Sequence, residues 1–190
     1  MNVLQASLDR AIRRRFGRKQ GVLRVARAQL ELLAGRYDRL ETVQLERVDR
    51  LVFVCLGNIC RSPFGEAVAR SLGANACSFG LKAGEGKEAD PAAARAARCR
   101  RIDLTRHRAR RQIELKPGDL VLAVEPAHLE RVGELAGKAG AQATLLGLFA
   151  QPAHPHIEDP FGLSPEYFET CFAIIEDATR RLVARMRRAR

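Results

Sequence analysis

From Leu51 onward the chain alternates short apolar runs with helix-forming stretches, and that alternation limits the folds open to it. LVFVC (51–55), ACSFGL (76–81), DLVLAV (119–124) and ATLLGL (143–148) read as strands. They are rich in Val, Leu and Phe without strict polar alternation, as strands covered on both faces are. Between them 63–72, 91–101 and 126–138 read as helices, and a long final helix runs from Pro165 to Arg187. Ser164-Pro165 opens that helix as an N-cap and first-turn pair. Strands separated in this way by helices form a parallel sheet. The expected fold is α/β: a four-stranded parallel sheet flanked by helices on both faces, a Rossmann-like three-layer sandwich.

Residues 1–49 read differently, as a basic helical N-terminal extension ahead of a domain over 50–190. Leu23, Ala26, Leu30, Leu33, Tyr37 and Leu40 recur at helical spacing, which predicts an amphipathic helix over 22–47, weakened or broken at Gly35. Before it, Leu4, Leu8, Ile12 and Phe16 recur every four residues beside Arg10, Arg13, Arg14 and Arg15. Such a stripe packs on the body, on another helix or on a second subunit, or it lies on an anionic membrane; packing is the plainer reading. The net charge of +11 follows the same division. Residues 1–50 hold 12 Lys+Arg against 6 Asp+Glu, and 180–190 hold 6 against none, which leaves 51–179 with 15 against 16. Cationic ends suit an anionic surface, whereas no motif for specific nucleic-acid recognition is present.

No run of about eighteen apolar residues exists to span a membrane, and the N-terminus has no apolar signal-peptide core. The cysteines Cys55, Cys60, Cys77, Cys99 and Cys171 are odd in number and scattered, which suits a reducing cytoplasm rather than a disulfide scaffold. Cys77, Cys99 and Cys171 read as buried core thiols. There is no CxxC, HExxH or zinc-spaced cluster, so neither metal nor other cofactor is expected.

One stretch carries the chemistry. VCLGNICRSP (54–63) joins the first strand to the first helix of the sheet. A loop there can turn its backbone N–H groups inward, and a helix N-terminus with such a nest binds a dianion. Gly57 lets the backbone approach an oxyanion closely, and Asn58 is one of the few other residues that tolerates positive φ. Arg61 brings a planar fork that matches two oxygens of a phosphate. Pro63 starts the helix without losing a donor. In that cradle Cys55 is favoured as the thiolate, a nucleophile aimed at the bound phosphorus, with Ser62 positioned to donate a hydrogen bond to it.

This loop resembles that of the low-molecular-weight protein tyrosine phosphatases, whose signature V-C-x-G-N-x-C-R-S-P it fits at every fixed position. The resemblance runs from about Leu51 to Leu182 and leaves out residues 1–50. It implies catalysis by Cys55 and Arg61, with Leu56, Gly57, Asn58, Ile59, Cys60 and Ser62 around the phosphate. It implies a general acid from an Asp-Pro loop, supplied here by Asp159 in IEDPFG, with Phe161 walling the ring cleft and Glu158 a solvated neighbour. A donor of this kind must carry its proton near neutral pH, which bound phosphate and partial burial favour. Ser78 and His107 stand where the family keeps residues that hold Asn58. Cys60 resembles the family's second loop cysteine, able to trap Cys55 as a reversible disulfide.

The implied function is protein-tyrosine-phosphatase activity through a cysteinyl-phosphate. The implied partner is a phosphotyrosine protein, in bacterial members often an autophosphorylating tyrosine kinase of capsule or exopolysaccharide export. The expected location is cytoplasmic, peripheral at the membrane if the extension docks there. The loop after the second strand, KAGEGKEADP, lacks the aromatic wall common in the family. That departure leaves a protein-arginine phosphatase as an alternative, although Ile59 replaces the threonine of that branch. Arsenate reduction lacks its two relay cysteines in IDLTRHRARRQIELKPG. A non-catalytic phosphate binder would have no need of Asp159.

Overall fold

The computed structural model describes residues 3–190. Four parallel strands, β1 (Arg50–Cys55), β2 (Ala76–Gly80), β3 (Asp119–Ala123) and β4 (Gln142–Leu145), form one sheet in the order β2-β1-β3-β4. The helices in chain order are α1 (Val3–Phe16), α2 (Lys19–Leu33), α3 (Asp38–Glu41), α4 (Arg61–Ser71), α5 (Pro91–Cys99), α6 (Leu129–Lys138) and α7 (Pro165–Ala189). The expected α/β sandwich and N-terminal helices are both present.

Alternate residues of each strand feed two separate cores. Leu51, Phe53, Leu120 and Leu122 join Phe64 and Val68 of α4 and Phe168, Phe172 and Ile175 of α7. Phe64 stacks on Phe172 at 3.9 Å between centroids, which ties α4 to α7. Val52, Val54, Val121 and Ala123 face the other way, toward Val132 and Ala136 of α6. Both strand faces are therefore apolar, which is why the sequence shows no alternation.

Tyr37 from the N-terminal segment is buried in this second core, with Leu32 and Leu40 packed against it. The extension is thus laid over the body rather than held away from it. Thr144 Oγ1 donates to Leu40 O (2.6 Å), Gln44 and Gln142 exchange two bonds (2.8 and 3.1 Å), and Thr170 Oγ1 donates to Arg14 O (2.7 Å).

Several expectations are corrected. The predicted helix over 22–47 is two helices, because Gly35 takes φ +72° and closes α2. Within α2 its apolar stripe keeps the helical period but faces solvent, with Leu23, Leu30 and Leu33 73%, 67% and 84% exposed, whereas Tyr37 and Leu40 beyond Gly35 pack on the body. The side turned to the body is instead Gly21, Arg24 and Ala28, since what it meets is a carboxylate and not an apolar core. On α1, Ile12 and Phe16 are half-buried and Leu8 is exposed; the side chain of Leu4 lies outside the described residues. The fourth strand ends at Leu145, and Leu146–Phe149 coils into a 3-10 turn in which His154 N donates to Gly147 O (2.8 Å) and a Cβ at Gly147 would collide with the His154 carbonyl. Ser164 stands at the α7 N-cap, but its hydroxyl makes no capping bond. Cys99 is exposed, whereas Cys77 and Cys171 are buried as expected.

Candidate active site

The loop between β1 and α4 lies at the carboxyl edge of the sheet, where parallel α/β folds hold ligands. Its conformation is fixed from behind by Asn58, which is fully buried with φ +53°. The Asn58 carboxamide has one orientation consistent with its partners. Oδ1 accepts from Arg110 N (2.8 Å), so Nδ2 donates, to Ser62 Oγ (2.8 Å) and Ser78 Oγ (2.8 Å). Ser78 passes its own hydrogen to Glu66 Oε2 (2.6 Å). Ser62 Oγ, already an acceptor from Asn58, is left to donate to Cys55 Sγ (3.0 Å), and Asn58 N donates to the same sulfur (3.2 Å). Two donors on one sulfur is the arrangement a thiolate accepts.

His107 completes the support by donating from Nε2 to Asn58 O (2.7 Å). Burial, against the bond to Asn58, holds its pKa below the ordinary imidazole value, so the ring stays neutral with its proton on Nε2. Gly80 ends β2 against the loop, where a Cβ would lie 2.8 Å from Asn58 N and Leu56 O. No larger residue allows that approach.

Arg61 is buried to 1% exposure and still carries its charge. Burial opposes the charge, but Asp159 and Glu125 outweigh it and raise the pKa further. Nη1 donates to Glu125 Oε1 (2.5 Å) and Ile157 O (2.8 Å), and Nη2 lies 3.2 Å from Asp159 Oδ2. Nε has no partner among the described residues and is free to donate to an anion. Cys55, Arg61 and Asp159 share one cavity of about 150 Å³, with Leu56, Ile59 and Phe161 along it. Phe161 is exposed and supplies a ring to that cavity, and the segment 82–90 contains no ring, as the sequence foretold. Cys60 is buried, and burial, with the charges of Asp90 and Asp159, pushes its thiol upward in pKa. A larger groove of about 950 Å³ lies between α1 and α7, lined by arginines and carboxylates with Ser164 and Thr170 but with no cysteine.

Glu158 is not the solvated neighbour expected of it. It is buried, bonded by Arg24 Nη1 (3.0 and 3.2 Å) and His156 Nε2 (2.9 Å), and paired with Arg18 Nε at 3.2 Å. Burial raises its pKa, but the bonds to His156 and Arg24 win and hold it low. Glu125, His128, His156, Glu66 and Arg110 also escaped sequence reasoning, since each is a lone polar residue outside any motif.

These groups set an acid limit on stability. Burial depresses His107 and His128 below the unfolded value of about 6.5, so their contribution is present above that value and is lost as pH falls through the folded one. Glu125 and Glu158 are depressed as carboxylates, so theirs disappears lower down, below about 4.3. Both slopes have one sign. The urea midpoint is expected to fall as pH drops below about 6.5 and to fall further below about 4.3; a flat or rising midpoint would contradict this network.

Comparison with known proteins agrees with the geometry. The sequence model of the family described as low molecular weight phosphotyrosine protein phosphatase matches residues 50–190. The low molecular weight protein-tyrosine-phosphatase Wzb of Escherichia coli K12 is 34% identical over 137 residues, 70% of this chain and 91% of that protein. The crystal structure of the tyrosine phosphatase AmsI of Erwinia amylovora superposes with a TM-score of 0.64 at 30% identity, over 73% of this chain and 93% of that one. The YwlE arginine phosphatase of Geobacillus stearothermophilus gives 0.65 at 27% identity, with the same coverage. With its family match over 50–190, this chain belongs to the low molecular weight phosphotyrosine protein phosphatases, a family of cysteine-dependent hydrolases.

Proposed function

We propose that this protein hydrolyses phosphotyrosine in two steps at the loop 55–62. The observation that carries the reading is the pair of donors on Cys55 Sγ beside Arg61 and Asp159 in one cavity. The phosphate enters as a dianion held by loop amides and Arg61. Cys55 attacks phosphorus, the S–P bond forms, the P–O bond to the ring breaks, and Asp159 gives its proton to the departing phenolic oxygen. Water then attacks phosphorus while Asp159 takes its proton. The S–P bond breaks, phosphate leaves, and the thiolate and the protonated acid are both restored.

An arginine phosphatase is the second reading. The segment 82–90 lacks a ring wall, and YwlE is among the similar structures. Matched phosphotyrosine and phosphoarginine peptides, assayed in EDTA, separate the two. The expected result is a preference for phosphotyrosine of ~10-fold or more, about the discrimination a pocket contact supplies; the reverse preference would overturn the substrate.

The partner we propose is a phosphotyrosine protein, such as an autophosphorylating tyrosine kinase of exopolysaccharide export. No helix among the described residues is long and apolar enough to cross a membrane. Peripheral docking on anionic lipid is supported by the exposed Leu23, Leu30 and Leu33 near the cationic α1. Substituting Leu30 and Leu33 by glutamate is expected to abolish sedimentation with acidic vesicles; unchanged sedimentation would exclude that face.

A further inference from the structure

We propose that Arg18 and Arg24, acting through the buried carboxylate of Glu158, are positioning residues that aim Asp159 at the leaving group. The inference rests on the reading of Asp159 as proton donor. It gives the N-terminal extension a part in the reaction, though the family match begins only at residue 50.

The segment 156–159 is fixed from two sides. Ile157 donates from N to Val124 O (3.0 Å) and accepts from Arg61 at O (2.8 Å), which secures it to the end of β3 and to the phosphate-binding guanidinium. The next residue, Glu158, takes its ionic partners from the extension, Arg24 in α2 and Arg18 just before it. Arg18 Nη2 also donates to the carbonyl of Asp159 itself (3.4 Å). Gly21 brings the start of α2 so close that a Cβ there would lie 3.4 Å from Glu158 Cγ and 2.1 Å from Phe16 O. Gly17, at φ +75°, turns the chain between α1 and α2 against Leu163 and Tyr167, just beyond the Asp-Pro pair. The elbow of the extension therefore grips 158–167 directly.

Glu158 bonds Arg24, Arg18 and His156 rather than Cys55 or Arg61, so its effect must pass along the backbone to Asp159. A buried carboxylate stripped of its cations turns toward water or gathers new partners, and the adjacent residue moves with it. Proton donation is sensitive to such a move, because small misplacements of a reacting group cost orders of magnitude. Attack by Cys55, supported by Asn58 and Ser62, is not tied to this clamp.

The test compares kcat/KM for phenyl phosphate, whose leaving group needs a proton, with dinitrophenyl phosphate, whose leaving group does not. In the full chain, R18A/R24A is expected to lose ~10-fold or more on phenyl phosphate, a part of the 10²–10⁴ that acid catalysis supplies, and less than ~2-fold on dinitrophenyl phosphate. Glu158→Gln is expected to give the same selective loss, and adding the arginine substitutions to it no more, because the three residues act as one unit. Arg24 and Arg18 are half-exposed, so their loss leaves the core intact. Equal losses on both substrates, no loss on either, or additive losses in the combined variant would overturn the inference. An Asp159→Asn variant that loses no more on phenyl phosphate than on dinitrophenyl phosphate would instead overturn the reading on which it rests.

Discussion

Replacing Cys55 by serine is expected to remove turnover of aryl phosphates almost entirely, by ~10⁵-fold in kcat/KM, the scale of losing a catalytic nucleophile. The substitution exchanges only sulfur for oxygen in a buried position, so the fold and the loop hydrogen bonds from Asn58 and Ser62 remain. Phosphate binding should survive, because Arg61 and the loop amides are untouched. A serine variant retaining more than about one hundredth of the activity would assign the nucleophile elsewhere.

Arg61→Ala is expected to damage both activity and stability. The guanidinium is the cation shared by Glu125 and Asp159 and the donor that fixes the carbonyl of Ile157. Its removal leaves the half-buried Glu125 with the imidazoles of His128, at 3.8 Å, and His156 in place of a guanidinium. Loss of one partner from a buried pair costs about 3–5 kcal/mol. Activity should fall ~10³-fold, near the cost of removing a main stabiliser of transition-state charge. Denaturant unfolding and kcat/KM measured on the same sample check both. Arg61→Lys should recover part of the stability and little of the rate, since an ammonium restores charge without the two-point fork.

The two cases show what the sequence could carry. Val54 to Pro63 is contiguous, so a motif names nearly all of the phosphate cradle, and Asp159-Pro160 is legible at its distance from it. The four apolar runs likewise foretell the sheet, because parallel strands buried on both faces leave no other trace. Glu158 was illegible for a physical reason. Charged residues are rarely fully buried unless paired, and its partner Arg24 lies 134 residues upstream. Glu125 and Glu66 fall near the same rule: Arg61 reaches the half-buried Glu125 from a distant element, and Glu66 is held by Ser78 and Arg110 from afar as well as by Arg70 one turn along its own helix. In α2 the period was right and the phase misread, since apolar residues there face outward while an arginine faces in.

The account turns on a covalent bond between Cys55 and phosphorus, and Asp159→Asn offers the means to see it. With dinitrophenyl phosphate the first step needs no acid, whereas hydrolysis still lacks its base, so the intermediate should accumulate. Acid quenching followed by peptide mass mapping is predicted to find the phosphoryl group on the peptide that contains Cys55. Phosphate on any other residue, or dinitrophenol release with no phosphopeptide at all, would contradict the account.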